Sequence, residues 1–168
     1  MEKLVTAAKS STSEEVLITR VFDASPHEVF GAWTSVDSLA RWYAPDDCTI
    51  EIKKFEFRNG GRFHHCIRNP HVHDCWCIGT YLEIIEPEKI VYNIAISDEE
   101  GNPVEPAAMG MDPEWPAKTI VTVTFEDLNG KTKLTLKQTV STELAKRTGA
   151  YPSWLQMLDR LEADLSRS

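Results

Sequence analysis

The apolar positions of the chain switch between two periods, and the switches divide it into elements. Over residues 16 to 23, VLITRVFD, β-branched and apolar residues crowd together with only weak alternation, which predicts a strand contacted on both faces. The period then lengthens. Ser25, Pro26 and Glu28 supply an N-cap, a first-turn proline and a capping-box acid, so a helix starts there and carries Val29, Phe30 and Trp33. A second short helix, Val36 to Tyr43, follows the Thr34-Ser35 break, has Leu39 and Trp42 three apart, and stops before Pro45. From Cys48 the pattern is that of strands: TIEIKKFEFRN, then RFHHCIRN after Gly60-Gly61, DCWCIGTYLEII after Asn69-Pro70, and KIVYNIAIS after Pro87.

The stretch 98 to 116, DEEGNPVEPAAMGMDPEWP, holds four prolines and two glycines and has no period, so it reads as a long loop. Two more strands follow across the turn Asn129-Gly130, the first alternating at Val121, Val123 and Phe125, the second at Leu134 and Leu136. In the closing stretch 148 to 165, TGAYPSWLQMLDRLEADL, residues Trp154, Leu158, Leu161 and Leu165 recur at spacings of four, three and four. That spacing puts them on one face of a long helix, with Gly149 and Pro152 marking its start. The pattern therefore predicts an α+β domain over residues 14 to 168, behind a flexible tail at 1 to 13. Its long C-terminal helix lies against the concave face of a curved antiparallel sheet. A straight helix cannot touch a bent sheet along its full length, so part of the apolar interior is expected to stay open.

Composition narrows the classes of partner. The 168 residues carry a net charge of -8, which disfavours nucleic acid, because backbone binding needs clustered Lys and Arg. No apolar run approaches the length of a membrane span, and the N-terminus lacks the basic start and apolar core of a secretion signal, so a cytoplasmic protein is expected. The four cysteines are too sparse for a disulfide scaffold and are expected as thiols.

Several segments resemble one family: ITRVFDASPHEVFGAWTSVDSLARWYAP (18 to 45), FEFRNGGRF (55 to 63), GTYLEIIEPEKIVY (79 to 92), WPAKTIVTVTFED with NGKTKLTL (115 to 136), and the terminal W-x3-L-x2-L pattern. Their order and spacing are similar to the SRPBCC, or START-like, helix-grip superfamily, in its branch related to the activator of heat-shock protein 90 ATPase. The resemblance implies a helix-grip fold: a seven-stranded antiparallel sheet curled around the terminal helix, with two short helices after the first strand and an apolar cavity inside. It fixes no single activity, since relatives bind lipids, polyketides or hormones and some catalyse.

The expected function is therefore the binding of a small apolar molecule between sheet and helix. A chaperone-binding module is the alternative that the family name suggests, although a separate N-terminal domain like that of the eukaryotic co-chaperone is not expected here. A cyclase-like or hydrolase-like enzyme using the same cavity is the third reading. No nucleophile elbow, phosphate loop or zinc-protease helix is present, so no catalytic residue is assigned.

Strand alternation gives an inward set of Phe55, Phe57, Phe63, Ile67, Trp76, Ile78, Tyr92, Val123 and Leu136. Ligand-lining candidates are drawn from it, namely Phe63, Ile67, Trp76 and Tyr92. They are joined by Trp42 from the second helix and by Trp154, Met157 and Leu158 from the last. His65, between Phe63 and Ile67, and Gln138, in step with Leu134 and Leu136, are the polar groups expected to orient a ligand. Met109 and Trp115, with Met111, would belong to a lid formed by the long loop.

Within the run HHCIRNPHVHDCWC, besides His65, the side chains His64, Cys66, His71, His73, Cys75 and Cys77 are of metal-ligand type. A turn at Pro70 to His73 would pair Cys66 with Cys77 and put both, with His64 and Cys75, on the outer face. Cysteines at i and i+2 on a strand are not the knuckle of a structural zinc site, and the family pattern has no ligands here, so neither metal nor other cofactor is expected. An outer face carrying Tyr81 and the cysteines is the expected place for a homodimer contact.

Overall fold

The computed structural model describes residues 14 to 167; the tail expected over residues 1 to 13 lies outside the described residues. Seven strands form one antiparallel sheet. They are β1 (Glu15–Phe22), β2 (Thr49–Phe55), β3 (Arg62–Arg68), β4 (Cys75–Ile85), β5 (Lys89–Ile96), β6 (Lys118–Leu128) and β7 (Lys131–Ser141). Their order across the sheet is β1-β7-β6-β5-β4-β3-β2, so all neighbours from β2 to β7 are consecutive and only β1 joins from afar. Two short helices, α1 (Pro26–Gly31) and α2 (Val36–Trp42), follow β1, and α3 (Thr142–Thr148) and α4 (Ala150–Ser166) close the chain.

The local chemistry of the helix starts is as the pattern predicts. Ser25 Oγ accepts from the backbone N–H of Glu28 at 3.2 Å while Glu28 Oε1 accepts from the N–H of Ser25 at 3.0 Å, a complete capping box. Ser35 caps α2 by the first of these bonds alone, its Oγ accepting from the N–H of Ser38. Ahead of the expected terminal helix stands α3, a short helix capped by Ser141. Gly149, at φ 89°, turns the chain between α3 and α4 in a left-handed conformation that favours glycine.

The core lies between the concave sheet face and α4. Val121, Val123, Leu134, Leu136, Leu158 and Leu161 are fully buried there, and α1 and α2 close one end with Phe30, Trp33 and Trp42. Phe30 and Trp33 meet Phe125 edge to face, and Trp33 meets Trp42 the same way, with centroids 4.7 to 6.2 Å apart. Helix α4 is also tied from outside the core. Arg160 donates to the carbonyl oxygens of Arg41 and Pro45, and Gln156 accepts from the N–H of Asp46 at 2.9 Å. These bonds fix the α2–β2 connection against the middle of α4, at the place where the interior opens.

Three expectations need correction. Strand β1 is an edge strand paired only with β7. Leu17 and Val21 are about half exposed while Val16, Ile18 and Phe22 are buried, so it is contacted on one face, not two. In β4 the facing is opposite to the one expected. The ladder pairs Ile67 with Cys75, Cys66 with Trp76 and His65 with Cys77, one residue out of step with a turn at Pro70 to His73. Asn69 Oδ1 accepts from the N–H of His71 and starts the turn one residue earlier. Because a strand alternates with period two, that single residue reverses every side chain of β4. Trp76 and Ile78 therefore face outward, while Cys75, Cys77 and Tyr81 face the concave side. Finally, Tyr81 meets Phe57 and Tyr92 in the interior, so it does not belong to an outer face on which a dimer could form.

Candidate ligand cavity

The interior opens where the helix pair α3–α4 leaves the sheet. A cavity of about 470 Å³ lies there, within the range of small-molecule sites. Its sheet wall carries His65 and Ile67 from β3, Cys75 and Cys77 from β4, Ile94 and Ile96 from β5, Thr119 from β6 and Gln138 from β7. The helix wall carries Ala150, Ser153, Trp154 and Met157, spaced at three and four along one face of α4. Tyr43, Pro45 and Cys48 from the α2–β2 connection close one side. Asn69, Val72 and His73 from the β3–β4 turn, with Met111 and Trp115 from the long loop, form the rim. No Asp, Glu, Lys or Arg is among the described residues that line it.

Behind Tyr43 and His65 a second space of only about 20 Å³ is walled by Phe55, Phe57, Phe63, Tyr81 and Tyr92. The Tyr43 and Tyr92 hydroxyls are hydrogen-bonded at 2.8 Å, and burial pushes both phenols above the ordinary tyrosine range. This pair and His65 separate packed core from open cavity. Gly79 makes the packed side possible: a Cβ there would stand 2.2 Å from the Phe63 ring and 2.2 Å from the Asn93 carbonyl oxygen.

The polar groups of the cavity fall into two kinds. Gln138 is already committed: its amide nitrogen donates to Thr119 Oγ1 at 3.0 Å, and its carbonyl oxygen accepts from Trp154 Nε1 at 2.9 Å. It holds the tryptophan of α4 to the sheet. His65 is not committed. Its ring stacks on Phe63 at 5.4 Å and meets Tyr43 edge to face at 5.7 Å. Among the described residues it has no hydrogen-bond partner, and burial pushes its pKa down to about 4. The imidazole is therefore neutral near pH 7 and offers one donor and one acceptor. The Cys75 and Cys77 sulfurs lie 3.8 Å apart, and their contact lowers the first thiol's pKa and raises the second's.

Of the residues expected to line a ligand site, His65, Ile67, Trp115, Gln138, Trp154 and Met157 border the cavity. Phe63 and Tyr92 lie behind it at the small space. Trp42 is fully buried, its indole N–H donating to the carbonyl oxygen of Ala32, and Leu158 is fully buried in the core. Trp76 lies on the far side of the sheet under Lys53 and Arg68. Met109 ends a 3-10 turn (Pro106–Met109), and the residue that reaches the cavity is Met111. Tyr43, Cys48, Cys75, Cys77, Thr119 and Ser153 are lining residues that the pattern did not single out. Thr119 and Ser153 were legible in principle: Thr119 stands two before the inward Val121 on the same strand face, and Ser153 stands four before Met157 on the same helix face.

A sequence profile described as "Activator of Hsp90 ATPase homolog 1-like protein" matches residues 23 to 166, nearly all of the described chain. The chain belongs to that family. Solved structures of the same fold share 16 to 24% of its sequence, a likeness that speaks for fold alone. One, a protein from Arthrobacter aurescens, is 21% identical, with 93% of this chain and 88% of that one covered at a TM-score of 0.79. A protein from Staphylococcus epidermidis is 24% identical, with 92% and 91% covered at 0.75. The AHSA1 protein from Silicibacter pomeroyi is 16% identical, with 90% and 97% covered at 0.70. No curated protein matches this chain in sequence. The helix-grip fold of this AHSA1-like member is thus established, and among its described residues no helix is long and apolar enough to cross a membrane.

Proposed function

We propose that this AHSA1-like chain is a binding domain for a small, uncharged, largely apolar molecule, held between α4 and the sheet in the cytoplasm. The observation that carries the reading is the cavity of about 470 Å³ with no Asp, Glu, Lys or Arg among the described residues of its wall. A charged ligand would be stripped of water there without a counter-charge, which is costly. Apolar surface is supplied by Ile67, Ile94, Ile96, Met111 and Met157, and flat aromatic surface by Tyr43, Trp115 and Trp154. The neutral, unpartnered His65 favours a ligand with one hydroxyl or carbonyl group, which it would meet as acceptor or donor.

Native mass spectrometry of the protein purified from its own cells tests this directly, with a retained neutral small molecule as the expected result. A thermal-shift panel of lipids and aromatic polyketides follows; occupancy at a hundred times Kd stabilises by about 2.7 kcal/mol. No retained molecule and no shift across the panel refute the reading. The family description names an ATPase activator, and co-precipitation with that chaperone from the same cells tests the interaction reading separately.

A further inference from the structure

Three of the four cysteines, Cys48, Cys75 and Cys77, border the cavity, while Cys66 is buried on the opposite face of β3. A lone buried thiol is a small apolar filler. Cys75 and Cys77 differ because they stand two apart on β4, on one side of the strand, with their sulfurs 3.8 Å apart. Two bonds of about 2.3 Å to a tetrahedral soft cation also hold their sulfurs about 3.8 Å apart. The pair therefore has the bite of a chelating dithiol without any movement of the backbone.

A second observation points to the same spot. His65 is the direct cross-strand partner of Cys77, is 7% exposed, and borders the cavity without a hydrogen-bond partner among the described residues. Cross-strand pairs bring Cβ atoms to about 5 Å, so a turn of the imidazole away from Phe63 carries a ring nitrogen toward the two sulfurs. Among the described residues no three His, Cys, Asp or Glu side chains already converge. The dithiol is thus the preformed part, and a third donor has to come from a side chain that turns toward it.

We propose that Cys75 and Cys77 chelate a soft d10 cation, Zn2+ in the cell, on the cavity wall, with His65 as third donor and the fourth position open to the cavity. Each thiol gives up its proton as its sulfur bonds the cation, so binding releases two protons at constant oxidation state. Thiolate and imidazole donors select Zn2+ over Mg2+ and Ca2+, which need oxygen ligands, and no carboxylate lines this wall. Three protein ligands with an open fourth position are the arrangement of a reactive zinc site rather than a structural one. The absence of a C-x2-C knuckle therefore does not count against it.

The test uses the reduced, metal-free full chain and two probes, Cd2+ followed by its thiolate charge-transfer absorption and Zn2+ competed against a chromophoric chelator. The expected result is one ion per chain with a two-thiolate band. Cys75→Ser and Cys77→Ser should each weaken binding by more than the roughly 10–100-fold that loss of an outer-shell partner costs. Cys66→Ser should leave binding unchanged, and His65→Ala should weaken it while keeping the two-thiolate band. Circular dichroism of each variant confirms folding. Failure of the wild type to bind one equivalent, or unchanged affinity in Cys75→Ser/Cys77→Ser, overturns the proposal. Apolar-probe binding to the same metal-free protein is measured alongside, so failure of the metal site is distinguishable from failure of the ligand reading.

Discussion

Gln138→Leu tests whether the cavity wall is held by the polar link between sheet and α4. The substitution keeps most of the side-chain bulk but removes the acceptor of Trp154 Nε1, at 2.9 Å, and the donor to Thr119 Oγ1, at 3.0 Å. Gln138, Trp154 and Thr119 are all buried, at 5%, 7% and 2% exposure. A buried donor left unsatisfied costs about 1–3 kcal/mol. Thr119 Oγ1 loses only a donor to an oxygen that can still donate its own hydrogen, whereas the indole N–H loses its acceptor, so the tryptophan carries most of the loss. We expect about 2 kcal/mol, or roughly 4–8 °C in Tm for a domain of this size. Trp154→Phe removes the donor instead, and Gln138→Leu/Trp154→Phe removes both ends of the bond. Chemical denaturation of the four proteins closes a double-mutant cycle, in which the double variant should lose about 1–2 kcal/mol less than the two single losses together. Losses that add to within about 0.5 kcal/mol would refute the claim that this bond fixes Trp154 against the sheet.

Other consequences follow from the same geometry. Leu158 is fully buried and away from the cavity, so Leu158→Ala should cost about 2–5 kcal/mol in urea denaturation. Met157→Ala only enlarges an existing space; it should cost less and change the affinity for an apolar probe, and the reverse ranking would return Leu158 to the ligand wall. Gly79→Ala forces a Cβ against Phe63 and the Asn93 carbonyl, and should destabilise by about 1–3 kcal/mol or more, with a smaller loss when combined with Phe63→Leu. Arg147 joins Asp112 and Glu114 of the rim loop to α3 at 3.2 and 3.1 Å. The N–H of Glu114, and then Arg147, hold the Asp112 carboxyl below the usual aspartate value of 3.8. A depressed carboxylate stabilises above its unfolded pKa and ceases to as pH falls through the folded value. Proteolysis at residues 110 to 116 should therefore stay slow at pH 5 and rise only below about pH 4. Arg147→Ala should show fast cleavage already at neutral pH, and equal rates in the two proteins would show that the ion pairs do not hold the loop.

What the sequence determined by itself was every feature set by local chemistry. The capping box at Ser25 and Glu28, the alternation of Val121, Val123 and Phe125, and the four-three-four spacing of α4 each depend on neighbours within a few residues. Those local rules, with the order of motifs, were enough for the sheet, the helices and the family. His65, Gln138, Trp154 and Met157 were legible as lining residues because each stands in phase with a strong apolar pattern.

The tertiary structure alone decided the facing of β4. Trp76 looked inward and the cysteines outward because β4 is apolar on both faces, so periodicity gave no sign of a one-residue slip. The slip came from the Asn69 side chain bonding to His71. Tertiary packing also decided where α4 stops lining a cavity and starts filling a core. Met157 and Leu158 are adjacent in sequence and both buried, yet only Met157 borders the open space, because successive helical residues point about 100° apart and the sheet is packed against the helix in only one of those directions. Register and curvature depend on turns and on partners distant in the chain, and those two quantities place the Cys75–Cys77 pair and His65 on one wall.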